Sequence, residues 1–69
     1  MRDWLKKERT DRGLTMAEMA KKLDLTESYY SRIEGGERQK KMDLLLVRKL
    51  ASALDIPIED IIRKEANNA

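Results

Sequence analysis

The sequence contains no cysteine, no histidine and no phenylalanine, and a single proline among its 69 residues. Lack of cysteine removes disulfides, and lack of both cysteine and histidine removes nearly all structural zinc chemistry. No metal and no cofactor is expected. The usual nucleophile and general base of covalent catalysis are missing as well. Ser28, Ser31 and Ser52 have no evident base, and no phosphate-cradling glycine loop appears among three glycines. An enzyme is not expected. No apolar run approaches the roughly 18–20 residues that span a bilayer. The start, Met1-Arg2-Asp3-Trp4-Leu5-Lys6-Lys7, lacks the apolar stretch of a secretion signal. The expectation is a cytoplasmic chain with no membrane partner.

A chain of this length is expected to form one domain over residues 1–69, with a structured core at about 3–64. It buries only roughly 60% of its unfolded surface. Without disulfides or metal, efficient helix packing and oligomerisation are the means left to stabilise it.

Strand signals are nearly absent, with one valine and no sustained period-two alternation. Helical signals recur instead. The first runs from about Arg2 to Arg12, with Trp4 and Leu5 as its main apolar groups, and stops at Gly13. Thr15 with Glu18 three residues on is a capping box, opening a helix from about Met16 to Leu23 with Met16, Met19, Ala20 and Leu23 on one face. Asp24-Leu25 breaks it. Thr26 caps a third helix, Glu27 to Glu34, which carries Tyr30 and Ile33 inward and ends at Gly35-Gly36. After a polar loop, Asp43 caps a fourth helix with Leu44, Val47, Leu50, Ala51 and Leu54 as its apolar stripe. Pro57 suits a first helical position, and Glu59 and Asp60 suit the helix dipole. Ile58, Ile61 and Ile62 form the apolar face of a fifth helix, and Glu65-Ala66-Asn67-Asn68-Ala69 is expected to fray. The fold class is all-α: five helices in one bundle.

Net charge is only +2, but its distribution is uneven. Residues 1–13 carry five basic and three acidic groups, residues 32–41 four and two, and residues 42–69 four and five. Should the two positive segments meet in space, one face is basic, which suits a polyanion; the alternative is a generic solvated surface.

Two short helices joined by a break of about three residues describe a helix-turn-helix over Met16–Glu34. Ala20 sits where the helices cross closely and only a small side chain fits. Leu25 plugs the turn. The outward face of the second helix holds Glu27, Ser28, Tyr29, Ser31 and Arg32. With Leu5 and Arg9, Gly13-Leu14-Thr15, Glu18-Met19-Ala20, Ile33-Glu34-Gly35-Gly36 and Leu50-Ala51-Ser52-Ala53-Leu54-Asp55-Ile56, the chain resembles the Cro/repressor-like (XRE) helix-turn-helix regulators from Leu5 to Ile62. The resemblance implies a lambda-repressor-like fold of five helices with the third helix in the major groove of double-stranded DNA. It also implies a structural ion pair between Arg9 and Glu34, a phosphate contact by Arg9 being the alternative. Four positions depart from the family pattern. Asp24 stands where glycine is frequent, Met16 where a phosphate-touching glutamine is frequent, and Tyr30 where a small aliphatic is usual. The loop before Asp43 is about two residues longer than usual, with Met42 in place of a proline.

Arg32 is the first candidate for base reading, since a guanidinium bonds both acceptors of guanine, worth roughly 1–3 kcal/mol of discrimination; pairing with Glu27 or Glu34 is its alternative. Ser28 and Tyr29 are candidates for bases or phosphates. Glu27 either accepts from a cytosine amine or serves the helix dipole. Thr15 and Thr26 cap helices whose backbone amides also suit phosphate. Arg38, Lys40 and Lys41 are phosphate candidates flanking the recognition helix, or solvated loop charges. The apolar surplus of Leu45, Leu46, Ile58, Ile61 and Ile62 suggests a two-fold dimer face, or else completes a monomer core.

The leading expectation is a transcription regulator, a repressor that binds a pseudo-palindromic operator as a homodimer at the nucleoid. The alternatives are the antitoxin of a toxin pair and a protein-interaction bundle without DNA affinity. No ligand-sensing domain is expected, so a signal would act through a protein partner, degradation or concentration.

Overall fold

None of the helices in this chain is long enough to persist alone in water, where fewer than about 12–15 residues is marginal; their ends and their packing have to hold them. The computed structural model describes residues 1–67, so Asn68 and Ala69, two of the residues expected to fray, lie outside the described residues. Its elements are α1 (Asp3–Asp11), α2 (Met16–Lys22), α3 (Glu27–Glu34), α4 (Leu44–Leu54) and α5 (Ile58–Ala66), with no strand among the described residues. The whole is 25 × 24 × 21 Å.

Side-chain caps open three helices. The Thr15 hydroxyl accepts from the Glu18 amide, that of Thr26 from the Tyr29 amide, and the Asp43 carboxylate from the Leu46 amide. Pro57 precedes α5 as its cap, with ψ 149°, instead of occupying the first helical turn.

Four helices close in one way. After α1 the Gly13 amide reaches Thr10 O and the Leu14 amide Arg9 O, the paired bonds of a Schellman turn. The same pattern follows α2 through Asp24 and Leu25, α3 through Gly36 and Glu37, and α4 through Asp55 and Ile56. The turn residue must be left-handed, and φ is 69° at Gly13, 58° at Asp24, 84° at Gly36 and 55° at Asp55. Asp24 thus takes the conformation in which the family favours glycine; a short polar side chain tolerates it better than most.

The core is drawn from all five helices: Leu5 of α1, Met19 and Ala20 of α2, Tyr30 and Ile33 of α3, Leu46, Val47, Leu50, Ala51 and Leu54 of α4, and Ile61 of α5. Two expectations about α4 and α5 are overturned here. Leu44 does not join the apolar stripe; it is 70% exposed, whereas Leu46 is 5% exposed. Leu46, Leu50 and Leu54 follow one another at four-residue spacing, so the helix turned to bury them presents Leu44 outward. Full burial of a leucine contributes about 1.5–3 kcal/mol, enough to choose this phase. Leu46 and Ile61 (0% exposed) are therefore spent inside the protomer and are unavailable to a dimer face.

The expected fraying at Glu65 is also overturned, by Arg2. This arginine is 1% exposed. Its Nε donates to both Glu65 carboxylate oxygens at 2.9 and 3.0 Å, and its Nη1 donates to Ile33 O at 2.6 Å and Arg38 O at 3.0 Å. Nη2 donates to Gln39 O and lies 2.8 Å from Glu65 Oε1. Trp4 Nε1 adds a bond to Glu65 Oε2 at 3.0 Å. The planar fork of donors suits this convergence of fixed acceptors, which a lysine would not match. The structured body accordingly begins before residue 3 and runs beyond residue 64.

Replacing this donor set strands a carboxylate and several carbonyls. Arg2→Met is expected to lower stability by about 2–4 kcal/mol, measured by urea unfolding at neutral pH. A loss below about 1 kcal/mol would remove Arg2 from the supports of the fold.

Candidate nucleic-acid interface

The outward face of α3 depends on what holds its inner face. Three polar groups meet there out of contact with water. Arg9 Nε and Nη2 donate to the two oxygens of Glu34 at 2.9 and 3.0 Å, a two-point pairing between α1 and the last residue of α3. The Tyr30 hydroxyl donates to Glu34 Oε2 at 2.6 Å. Arg9 Nη1 donates to Leu14 O at 2.8 Å, linking the pair to the turn before α2. Glu34 is 0% and Arg9 6% exposed. Burial pushes the Glu34 carboxyl upward, but bonds from Arg9 and Tyr30 outweigh it and hold its pKa below the ordinary value of 4.5. Burial, followed by the hydrogen bond to Glu34, raises the Tyr30 hydroxyl well above its usual range. The ring at position 30, large for this site, thereby finds its hydroxyl a partner.

Beyond this network α3 turns Glu27, Ser28, Ser31 and Arg32 to solvent, with Tyr29 half-buried at the edge. Glu34 is fully engaged by Arg9 and Tyr30, and Arg32 makes no ion pair among the described residues. Its guanidinium stays available. Thr26 caps α3 through its hydroxyl without a reciprocal carboxylate, since the residue three further on is Tyr29. The start of α2 differs. There the Thr15 amide donates to Glu18 Oε1 at 2.8 Å and keeps that carboxyl below its ordinary value. Both helices carry a carboxylate in the first turn, Glu18 and Glu27, but only at α2 does it occupy the cap amide, so Thr15 offers a phosphate less than Thr26 does.

The basic groups are distributed otherwise than expected. In residues 1–13, Arg2 pairs with Glu65, Lys7 with Asp11, Arg9 with Glu34 and Arg12 with Glu8. Four of the five basic groups of that segment are thus paired, and Lys6 is left exposed. Arg32, Arg38, Lys40 and Lys41 are exposed and make no ion pair among the described residues, as is also true of Lys6, Lys21, Lys22 and Arg48. Lys40 and Lys41 also line a cleft of about 490 Å3 with Met1, Gly36, Val47 and Ile62. They sit beyond the carboxyl end of α3, not along its flank.

The surplus apolar residues separate into two groups. Leu45 is exposed but lines a small cavity with Leu25, Tyr29 and Gln39, next to α3. Ile58 and Ile62 are 37% and 55% exposed on α5, and Val47 and Ile62 share the larger cleft. Leu44, one turn before Val47, is exposed apolar surface that the sequence pattern had assigned to the core. Arg2 and Gln39 were missed altogether. No local signal marks them: the partners of Arg2 lie 31 to 63 positions away, and Gln39 acts only once Tyr29, ten positions back, is folded beside it.

Two comparisons bear on this geometry. A family model described as helix-turn-helix matches residues 5–61. The chain belongs to the XRE-type helix-turn-helix family. Its fold is that of the lambda-repressor-like DNA-binding domains, with α2 and α3 as the two helices of the motif. This helix-turn-helix protein is 34% identical, over 73 aligned positions, to an uncharacterized HTH-type transcriptional regulator, YqaF, of Bacillus subtilis strain 168; the match spans 100% of the chain and 93% of that relative. No helix of the described residues is long and apolar enough to cross a membrane.

The Glu34 network predicts an acid sensitivity with a definite sign. A carboxyl whose folded pKa is depressed contributes stability that is present above its unfolded value and lost as pH falls through its folded value. Stability is expected to fall as the pH drops below about 4.5, with Glu8 and Glu18 adding to the slope. Tyr30→Phe should cost about 1.5–3 kcal/mol near pH 7 and less at an acid pH, below the ordinary carboxyl value of 4.5, that protonates Glu34. Denaturant titrations at both pH values check this, and an equal cost at both would separate Tyr30 from the Glu34 charge.

Proposed function

We propose that this chain is a sequence-specific DNA-binding transcription regulator, a repressor that occupies a pseudo-palindromic operator as a homodimer with α3 in the major groove. The observation that carries the reading is the unpaired outward row of α3, Glu27, Ser28, Ser31 and Arg32, on a helix locked from behind by the Arg9–Glu34–Tyr30 network. Side chains on the early turns of a recognition helix meet base edges. Arg32 reads guanine, Ser28 and Tyr29 bond bases or backbone, and Glu27 either accepts from cytosine or serves the helix end. The amino end of α3 at Thr26, with Arg38, Lys40 and Lys41, meets phosphates and sets the register. The transcriptional-regulator name of the Bacillus subtilis relative supports this reading.

Ile58 and Ile62 on α5, with Leu44 and Leu45 exposed on α4, supply apolar surface for a second copy. Two recognition helices then address half-sites about one turn, roughly 34–36 Å, apart.

In-vitro selection of random duplexes on the purified chain at moderate salt tests the proposal. An inverted repeat is expected; no retained duplex even at low salt would sink it. On the selected site, Arg32→Ala should cost about 1–3 kcal/mol and relax preference at one base pair per half-site. Lys40→Gln with Lys41→Gln should weaken all duplexes alike and reduce the salt slope by about 2 per protomer. An unchanged slope would return both lysines to the solvated loop.

A further inference from the structure

The loop between α3 and α4 turns at Gln39, whose φ of 55° is uncommon for a residue bearing a side chain. Two sets of bonds hold it there. From one side, Arg2 donates to the carbonyls of Arg38 and Gln39. From the other, the Gln39 side chain spans two elements: Oε1 accepts the Asp43 amide at 3.0 Å and Nε2 donates to the Tyr29 hydroxyl at 3.1 Å.

The direction of that amide is not free. A backbone N–H can only donate, so the oxygen must face Asp43 and the NH2 must face Tyr29. The Tyr29 hydroxyl therefore accepts from within the protein, and its one hydrogen is left for a partner outside. Tyr29 is half-buried at the edge of α3, directly after Ser28, and borders a small cleft with Leu25, Gln39, Leu45 and Lys49.

We propose that Gln39 is a positioning residue for DNA recognition, holding the Tyr29 hydroxyl as a hydrogen-bond donor toward the duplex. Tyr29 thereby addresses an acceptor, either a phosphate oxygen or an acceptor on a base edge such as guanine O6 or thymine O4. The inference rests on the DNA-binding reading above. It gives the loop a part in recognition beyond its charges: Arg2 fixes the backbone of Gln39, and Gln39 fixes the polarity of Tyr29.

The test is Gln39→Glu with Tyr29→Phe on the selected duplex. A carboxylate keeps the shape of the side chain and still accepts the Asp43 amide, but it can only accept. The Tyr29 hydrogen then turns inward and the outward donor is lost. Tyr29→Phe alone is expected to weaken binding about three- to tenfold. Gln39→Glu should weaken it about tenfold or more with Tyr29 present, and about threefold or less in the Tyr29→Phe background, where only the added charge acts. Circular dichroism should show the helices intact in all three variants. A loss equal across altered duplexes assigns the acceptor to phosphate, and a loss confined to one base pair assigns it to a base. Equal losses from Gln39→Glu in both backgrounds, or unchanged binding by Tyr29→Phe, would overturn the inference while leaving a DNA-binding protein. Failure of the unsubstituted chain to retain any duplex would overturn both.

Discussion

Glu34 places a full negative charge at the end of the recognition helix and out of contact with water, and much of the molecule is arranged around that fact. An unpaired buried carboxylate would cost several kcal/mol, a large share of what a domain of this size has to spare. Arg9 meets it with a two-point bond from α1, and Tyr30 meets it from one turn back along α3. A wrong rotation of α3 would break the two-point bond to Arg9, whereas the Tyr30 bond lies within α3 and turns with it. The pair is thus a constraint on orientation as much as a source of stability, and the orientation it imposes is the one that leaves Ser28 and Arg32 facing out.

Arg2 repeats the device at the same end of α3. Its donors converge on Glu65 of α5 and on carbonyls of Ile33, Arg38 and Gln39, so a single guanidinium joins the amino-terminal segment, the end of α3, the following loop and the last helix. Lesser contacts work alike. Arg12 Nη2 donates to Leu54 O at 2.7 Å, and Lys49 Nζ donates to Leu23 O at 3.3 Å, each supplying a cation to the carboxyl end of a helix in another part of the bundle. A chain without disulfides or metal, and with helices of only 7–11 residues, uses charged groups as its staples. The consequence is electrostatic. Four of the five basic residues near the amino terminus are neutralised by partners, and the exposed unpaired charge includes Arg32 and the loop that follows α3.

The candidate site was partly legible in the residue pattern. Glu27, Ser28 and Arg32 project outward because residues 30, 33 and 34 are buried, and a 3.6-residue period carries one set from the other. The loop was not legible. Lys40 and Lys41 were readable as charges, but their place beside Met1 and Ile62 depends on how α5 folds back. Gln39 gave no signal at all, since an amide in a polar loop is unremarkable until Tyr29 and Asp43 are brought to either side of it.

What the residues determined by themselves is what acts within about one helical turn. Thr15 with Glu18, Thr26 and Asp43 open helices; Gly13, Asp24 and Gly36 close them; the break at Asp24-Leu25 sets the helix-turn-helix. Each of these is a bond between groups no more than five residues apart, which local order specifies. Tertiary structure alone decided which of three adjacent leucines entered the core and which charges were withdrawn from the surface. Leu44, Leu45 and Leu46 are equally apolar, and only the placement of α5 and α3 against α4 buries the third. Arg2 and Glu65 are separated by 63 positions, and nothing in a basic residue beside the amino terminus announces its partner. Burial and long-range pairing are properties of the assembled bundle, because the cost of removing a charge from water arises only once the other helices have displaced that water.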